Sequence, residues 1–161
     1  MFNLKNEFCL KIIFLFSFFA LITAFFIQHI LGHQPCNLCL IERIPYGLSM
    51  LLILIIFLFK KNREFYVLLL ILNFIFALAI SMYHFGIEQN FFMESIVCEV
   101  KNLSENVTKE DLIKQLNDVT VSCKDVTFKI FGLSLASINI VISSLFIITL
   151  IGIYNRYEKN K

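Results

Sequence analysis

The sequence predicts an all-α membrane protein, a four-transmembrane-helix bundle, and three observations carry the prediction. Hydrophobic residues make up 58% of the 161-residue chain and charged residues only 16%, a balance foreign to soluble domains. Four apolar runs approach or exceed the roughly 20 residues that cross a bilayer core of about 30 Å. The basic residues gather at one end of those runs, and four of the five cysteines lie at the other. A net charge of +2 is too small to point to nucleic acid. With most residues committed to spans, the chain 1–161 reads as one integral membrane domain.

The first span is placed at about 12–31, a run without a charged residue. It is too long for a cleaved signal peptide, lacks a small-residue cleavage site, and is followed by further spans. The second is placed at about 42–59. Its apolar stretch from Ile44 holds only 16 residues before Lys60. At about 1.5 Å per residue that is short, so Glu42 and Arg43 are expected at the interface. The third and fourth spans are placed at about 65–87 and 130–154. Gly132, Ser134, Ala136 and Ser137 open the fourth, small residues that let helices approach closely in lipid.

Basic residues orient the spans. Lys5 and Lys11 flank the first, Lys60, Lys61 and Arg63 join the second to the third, and Arg156, Lys159 and Lys161 form the tail. These groups belong inside, so both termini are expected to be cytoplasmic and the loops at about 32–41 and 88–129 to face out. The longer loop holds eight acidic and five basic residues. Within it Thr108-Lys109-Glu110-Asp111 reads as a helix start. Leu112, Ile113, Leu116 and Val119 then share a face, which predicts a short amphipathic helix.

The chemistry is concentrated in the outward loops. Cys36-Asn37-Leu38-Cys39 opens the second span. On a helical turn that spacing puts both sulfurs on one side. Pro35 sets the chain ahead of the helix, and N–H groups at a helix start favour a thiolate, the nucleophile of disulfide exchange. Arg43 lies four residues after Cys39 and seven after Cys36, on the same helical face. Arginine at a lipid boundary often only snorkels to headgroups. Here it could also donate hydrogen bonds to a carbonyl oxygen. Glu42 points elsewhere and reads as an interface residue. His33 is near enough in sequence to assist the thiols, although a histidine at a membrane edge is usually only a wet polar residue.

Cys98 and Cys123 close a loop of 26 residues in the second outer connection. As a structural disulfide the pair would contribute about 3 kcal/mol in the chain-entropy picture. Facing the same compartment as the C-x-x-C pair, it could instead exchange disulfides with it. A zinc site of four cysteines is a third reading, but nothing else in the chain suggests a metal function and none is expected. Cys9 reads as a small buried hydrophobe. His84, in Tyr83-His84-Phe85-Gly86 at the end of the third span, suits the interfacial belt or reaches a cofactor.

These residues resemble the DsbB family, disulfide bond formation protein B of bacterial inner membranes. The likeness lies in Gln34-Pro35-Cys36-Asn37-Leu38-Cys39-Leu40-Ile41-Glu42-Arg43, in Tyr83-His84-Phe85-Gly86-Ile87-Glu88, and in Cys123-Lys124-Asp125 followed by Phe131-Gly132-Leu133-Ser134. With the four spans it covers nearly the whole chain. The resemblance implies an inner-membrane oxidoreductase that reoxidises a periplasmic, DsbA-like thioredoxin-fold protein. The electrons would pass to a membrane quinone, ubiquinone or menaquinone. By position, Cys98 would accept the partner's thiolate, Cys123 would attack Cys36, and Cys39 would be released beside a quinone contacted by Arg43 and reached by His84. The tryptophan common in the family's last outer segment is missing, and Phe128 or Phe131 would take its place.

Three other readings compete. A DsbI-like sibling would serve one dedicated partner. A vitamin K epoxide reductase-like protein carries its C-x-x-C after the loop cysteines, whereas here the pair comes first. A non-enzymatic scaffold with a stapled loop leaves Cys36, Cys39 and Arg43 unexplained.

Overall fold

The computed structural model describes residues 4–59, 62–93, 98, 122–124, 129–130 and 132–159. Helix α1, Leu4–His29, begins well before the apolar run does. Hydropathy marks only the part of a helix that sits in lipid, and the polar first turns are held by protein. Asn6 is buried there, with its Oδ1 accepting from Arg156 Nη1 at 3.5 Å. Gly32, at φ +72°, reverses the chain just beyond the helix. That left-handed backbone favours glycine.

The second span is longer than the apolar run suggested, because the C-x-x-C turn is itself helical. Helix α2, Asn37–Ile41, runs into α3, Arg43–Leu58, and together Asn37–Leu58 supply 22 residues. Pro45 accounts for the break between them. It has no N–H to donate to the Ile41 carbonyl, and its ring crowds that carbonyl. The Pro45 carbonyl itself accepts from Asn73 Nδ2 of the third span at 2.8 Å.

Helix α4, Arg63–Glu88, agrees closely with the third expected span. It ends in a Schellman turn: Asn90 takes φ +59°, Phe91 N donates to Gly86 O at 2.8 Å and Asn90 N to Ile87 O at 3.0 Å. The turn lays the Phe92 ring directly on Gly86, where any Cβ would collide with it, and stacks it beside Tyr83.

The fourth helix starts later than expected. Residues near 130 form a small antiparallel hairpin, β1 Lys129–Ile130 paired with β2 Leu133–Ser134. Gly132 at φ +82° makes its turn. Helix α5, Leu135–Lys159, follows immediately. Ser134 caps it, accepting from Ser137 N at 3.2 Å. The amphipathic helix expected at 108–119, the residues Lys60, Lys61 and Lys161, and Phe128 and Phe131, the candidates for the missing tryptophan's place, lie outside the described residues.

Among the described residues, the fold is therefore four helical spans, each long and apolar enough to cross a membrane. The α4–α5 contact is the most extensive, α3 packs on both α1 and α4, and α1 and α5 touch only slightly. Small buried residues, Ala77 and Ser81 on α4 with Ala136 and Ser143 on α5, allow that close pair. Phe8, Leu15, Phe19, Ile22, Leu54, Phe76, Leu145 and Ile148 point outward as a lipid-facing shell.

Candidate functional site

The four outer cysteines form two disulfides, Cys36–Cys39 and Cys98–Cys123, with Cα separations of 5.2 and 5.5 Å. Both are drawn into one buried cluster with Leu38 and Ile87, packed on by Ile80 and Tyr83. Cys36, Cys98 and Cys123 are all almost fully buried. The two disulfides, far apart in sequence, thus pack in the same cluster. Cys36 precedes α2 as its N-cap, and its sulfur accepts from Cys39 N at 3.2 Å.

The two sulfurs of the C-x-x-C face different surroundings. Cys39 lines a cavity of about 370 Å³ between α1, the α2–α3 junction and the start of α5. Because α1 and α5 barely touch, the cavity lies in the gap between them. Its walls are mainly apolar, with Phe16, Phe19, Ile27, Leu135, Ile138 and Ile142, while Arg43, Glu42, Tyr46, Asn139 and His33 supply polar groups. Phe19 is also part of the lipid-facing shell, so the cavity wall reaches the membrane side of the bundle.

Arg43 lines the same cavity as Cys39, whereas Cys36, expected on the same face, does not line it. Its guanidinium is held by α1: Nη1 donates to Gln28 Oε1 at 2.7 Å, Nη2 to Ala24 O at 3.5 Å, and the group lies 5.3 Å over the Phe25 ring. Two of its five N–H donors are spent on these bonds. Deeper in the cavity, Tyr46 donates to Asn139 Oδ1, and Asn139 Nδ2 donates to Ser81 Oγ at 2.6 Å. Ser81 Oγ in turn donates to Ala77 O at 2.9 Å, which completes a chain of buried polar groups across α3, α5 and α4.

Cys36 faces the other way. His84 Nε2 lies 3.6 Å from its sulfur, and His84 Nδ1 lies 3.1 Å from Glu42 Oε1. His84, expected to reach a cofactor, does not line the cavity; the rotation of α4 turns it onto Cys36 instead. Glu42 departs from expectation as well. Expected to point elsewhere, it lines the same cavity as Arg43 and is buried, 8% exposed, and paired with His84. Glu88 Oε1 approaches the same ring, 3.8 Å from Nε2. Cys9 is half-buried beside the apolar core, as expected of a small hydrophobe.

Gln28 and Asn139 were missed by sequence reasoning. A signal existed, since polar side chains within apolar runs are costly and tend to be functional. It could not say which residues they would meet.

Four spans with two adjacent disulfides at one end, one of them opening on an apolar cavity, define a membrane thiol–disulfide protein. The family model described as "Disulfide bond formation protein DsbB" matches residues 6–153. The chain belongs to the DsbB family. A relative described as "Uncharacterized protein RP370", from Rickettsia prowazekii (strain Madrid E), is 25% identical over 146 residues, covering 89% of this chain and 84% of the relative. Family membership makes this chain a multi-pass inner-membrane protein of disulfide formation, an oxidoreductase acting on disulfide bonds.

Proposed function

We propose that the protein reoxidises a periplasmic, DsbA-like thioredoxin-fold partner and passes the electrons to a membrane quinone, ubiquinone or menaquinone. Both termini would lie in the cytoplasm, with the disulfide-bearing end in the periplasm. The observation that carries this reading is the position of the Cys36–Cys39 disulfide. One sulfur touches the cluster that holds the loop disulfide, and the other lines the cavity.

The residues suit a quinone head. Apolar walls continuous with the lipid-facing surface accommodate a ring and an isoprenoid tail, and Arg43 keeps donors beyond those bound to Gln28 and Ala24 for a carbonyl oxygen. When bound, a quinone supplies a two-electron, two-proton acceptor soluble in the bilayer.

In the proposed relay, the partner's thiolate attacks Cys98 and breaks Cys98–Cys123, freeing the Cys123 thiolate. Cys123 attacks Cys36 and breaks Cys36–Cys39, freeing the Cys39 thiolate on the cavity wall. A second thiol of the partner then displaces Cys98, so the partner leaves oxidised, and the released Cys98 thiolate attacks Cys123, which restores the loop disulfide and leaves Cys36 and Cys39 as the reduced pair. Arg43, four residues from Cys39, places a fixed positive charge where the negative sulfur develops.

The test is anaerobic turnover in detergent with a reduced DsbA-type protein and a soluble ubiquinone. Wild type should oxidise one partner dithiol per quinone consumed. Cys39→Ser should fall to background while keeping its helical content and thermal transition. Partner oxidation without quinone consumption, or full activity in Cys39→Ser, would sink the reading.

A further inference from the structure

His84 and Glu88 have no part in the relay, yet both are buried, His84 against the Cys36–Cys39 disulfide and Glu88 against His84. The ligand atoms of Cys36, Cys39 and His84 lie within 4.8 Å of one another. His84 Nε2 is 3.6 Å from Cys36 Sγ and 3.8 Å from Glu88 Oε1. Four ligands held tetrahedrally at zinc distances of about 2.0–2.3 Å are themselves about 3.3–3.8 Å apart. The His84–Cys36 and His84–Glu88 separations match that range, and reduction would let the two bonded sulfurs move apart toward it.

A second, independent observation points to a ligand. The Glu88 side chain is only 5% exposed, and its Oε2 is buried with no hydrogen-bond partner among the described residues. Such an oxygen is costly to bury unless something binds it. The other face of the ring is also built for the purpose. Glu42 Oε1, 3.1 Å from Nδ1, holds His84 so that Nε2 turns to the sulfurs. A carboxylate behind a histidine is the usual outer support of a metal-binding imidazole.

We propose that reduction of the Cys36–Cys39 disulfide creates a four-ligand site for a thiophilic divalent cation, Zn²⁺ foremost, from Cys36 Sγ, Cys39 Sγ, His84 Nε2 and the Glu88 carboxylate. The disulfide itself cannot bind this way, because zinc takes thiolates. Two electrons from the partner's dithiol, passed through the loop pair, open the bond, and the resulting Cys36, Cys39 dithiol releases two protons as the cation binds. No electron moves in the binding step. The cation would take the Cys39 sulfur away from the cavity, so metal binding and reoxidation compete. The site is therefore an inhibitory one, open only in the reduced protein. It rests on the redox activity of Cys36–Cys39 and not on the identity of the electron acceptor.

The test uses the full chain in detergent carrying Cys9→Ser, Cys98→Ser and Cys123→Ser, so that only Cys36 and Cys39 bear thiols. Co²⁺ is titrated anaerobically as a visible stand-in for Zn²⁺, with neither quinone nor partner present. The reduced protein should bind one equivalent with thiolate-to-metal bands and tetrahedral d–d bands. Zn²⁺ should displace it, and the oxidised protein should give no such bands. Glu88→Gln and His84→Ala, each checked for helical content, should weaken binding at least about tenfold. No thiolate band on reduction would overturn the proposal, and so would an affinity that neither substitution changes. Since no acceptor is present, failure here leaves the quinone reading intact, and loss of quinone turnover would leave this site intact.

Discussion

At one end of the bundle, Leu10, Ile13, Ile53, Ile56, Val67, Leu70, Phe74, Leu150 and Ile153 fill the space between the helices with hydrocarbon. At the other, the same four helices enclose two disulfides, a histidine between two carboxylates, and a hydrogen-bonded chain from Tyr46 to Ser81. In lipid the apolar end gains little from burial itself, since the solvent is as apolar as the core; its stability is one of fit. The sulfur-bearing end gives up some of that fit. It leaves a cavity of about 370 Å³ and keeps polar side chains where they need partners. The difference separates a half that holds the helices together from a half that uses the geometry they set.

The comparison can be broken most forcefully at Phe74. This ring is fully buried and meets Phe146 edge-on, with centroids 5.0 Å apart. Phe74→Ala should lower bundle stability by about 3–5 kcal/mol, read as the midpoint shift in a denaturing-detergent titration. Activity per folded molecule should hardly change. A large loss of turnover in the folded fraction would show that the two halves are not separable.

Arg43 sharpens the same contrast from the other side. Arg43→Ala should leave the unfolding midpoint nearly in place and raise the apparent KM for quinone. A charge-assisted hydrogen bond of about 1.5–3 kcal/mol corresponds to roughly a ten- to hundredfold change. Arg43→Lys should recover part of the loss, because a point charge replaces a fork of donors. Steady-state kinetics with partner saturating and quinone varied decide it. An unchanged KM would leave Arg43 as a residue that only reaches for headgroups and Gln28.

The smallest effect is expected at Tyr46→Phe. It removes the donor to Asn139 Oδ1, which can still accept from Ser143 Oγ at 3.4 Å. Single interhelical hydrogen bonds in membranes average about 0.6 kcal/mol, so the detergent midpoint should move only slightly. A shift several times larger would mean that the polar chain, and not only the apolar end, holds α3, α4 and α5 together.

Much of the architecture was legible in the residues alone. Hydropathy is a property of short windows, and a span of lipid-soluble helix needs little else, so four spans and their order follow from it. The Cys36–Cys39–Arg43 spacing is equally local, one helical face within two turns, and the structure places Cys39 and Arg43 on one cavity. Pro45 could have told of the break after Ile41, and Gly132 of the turn that delays α5.

What only the tertiary structure decided is the rotation of each helix about its axis. Adjacent residues on a helix point about 100° apart, so whether Glu42 or Arg43 faces the core depends on which neighbours α3 meets. The small residues between α4 and α5 bring those helices close, and His84 then turns onto Cys36, 48 positions away in the chain. The slight contact of α1 with α5 opens the cavity between them, and Gln28 reaches across to Arg43. Composition and spacing carry no record of such rotations, because they arise from the mutual fit of side chains that are distant in sequence.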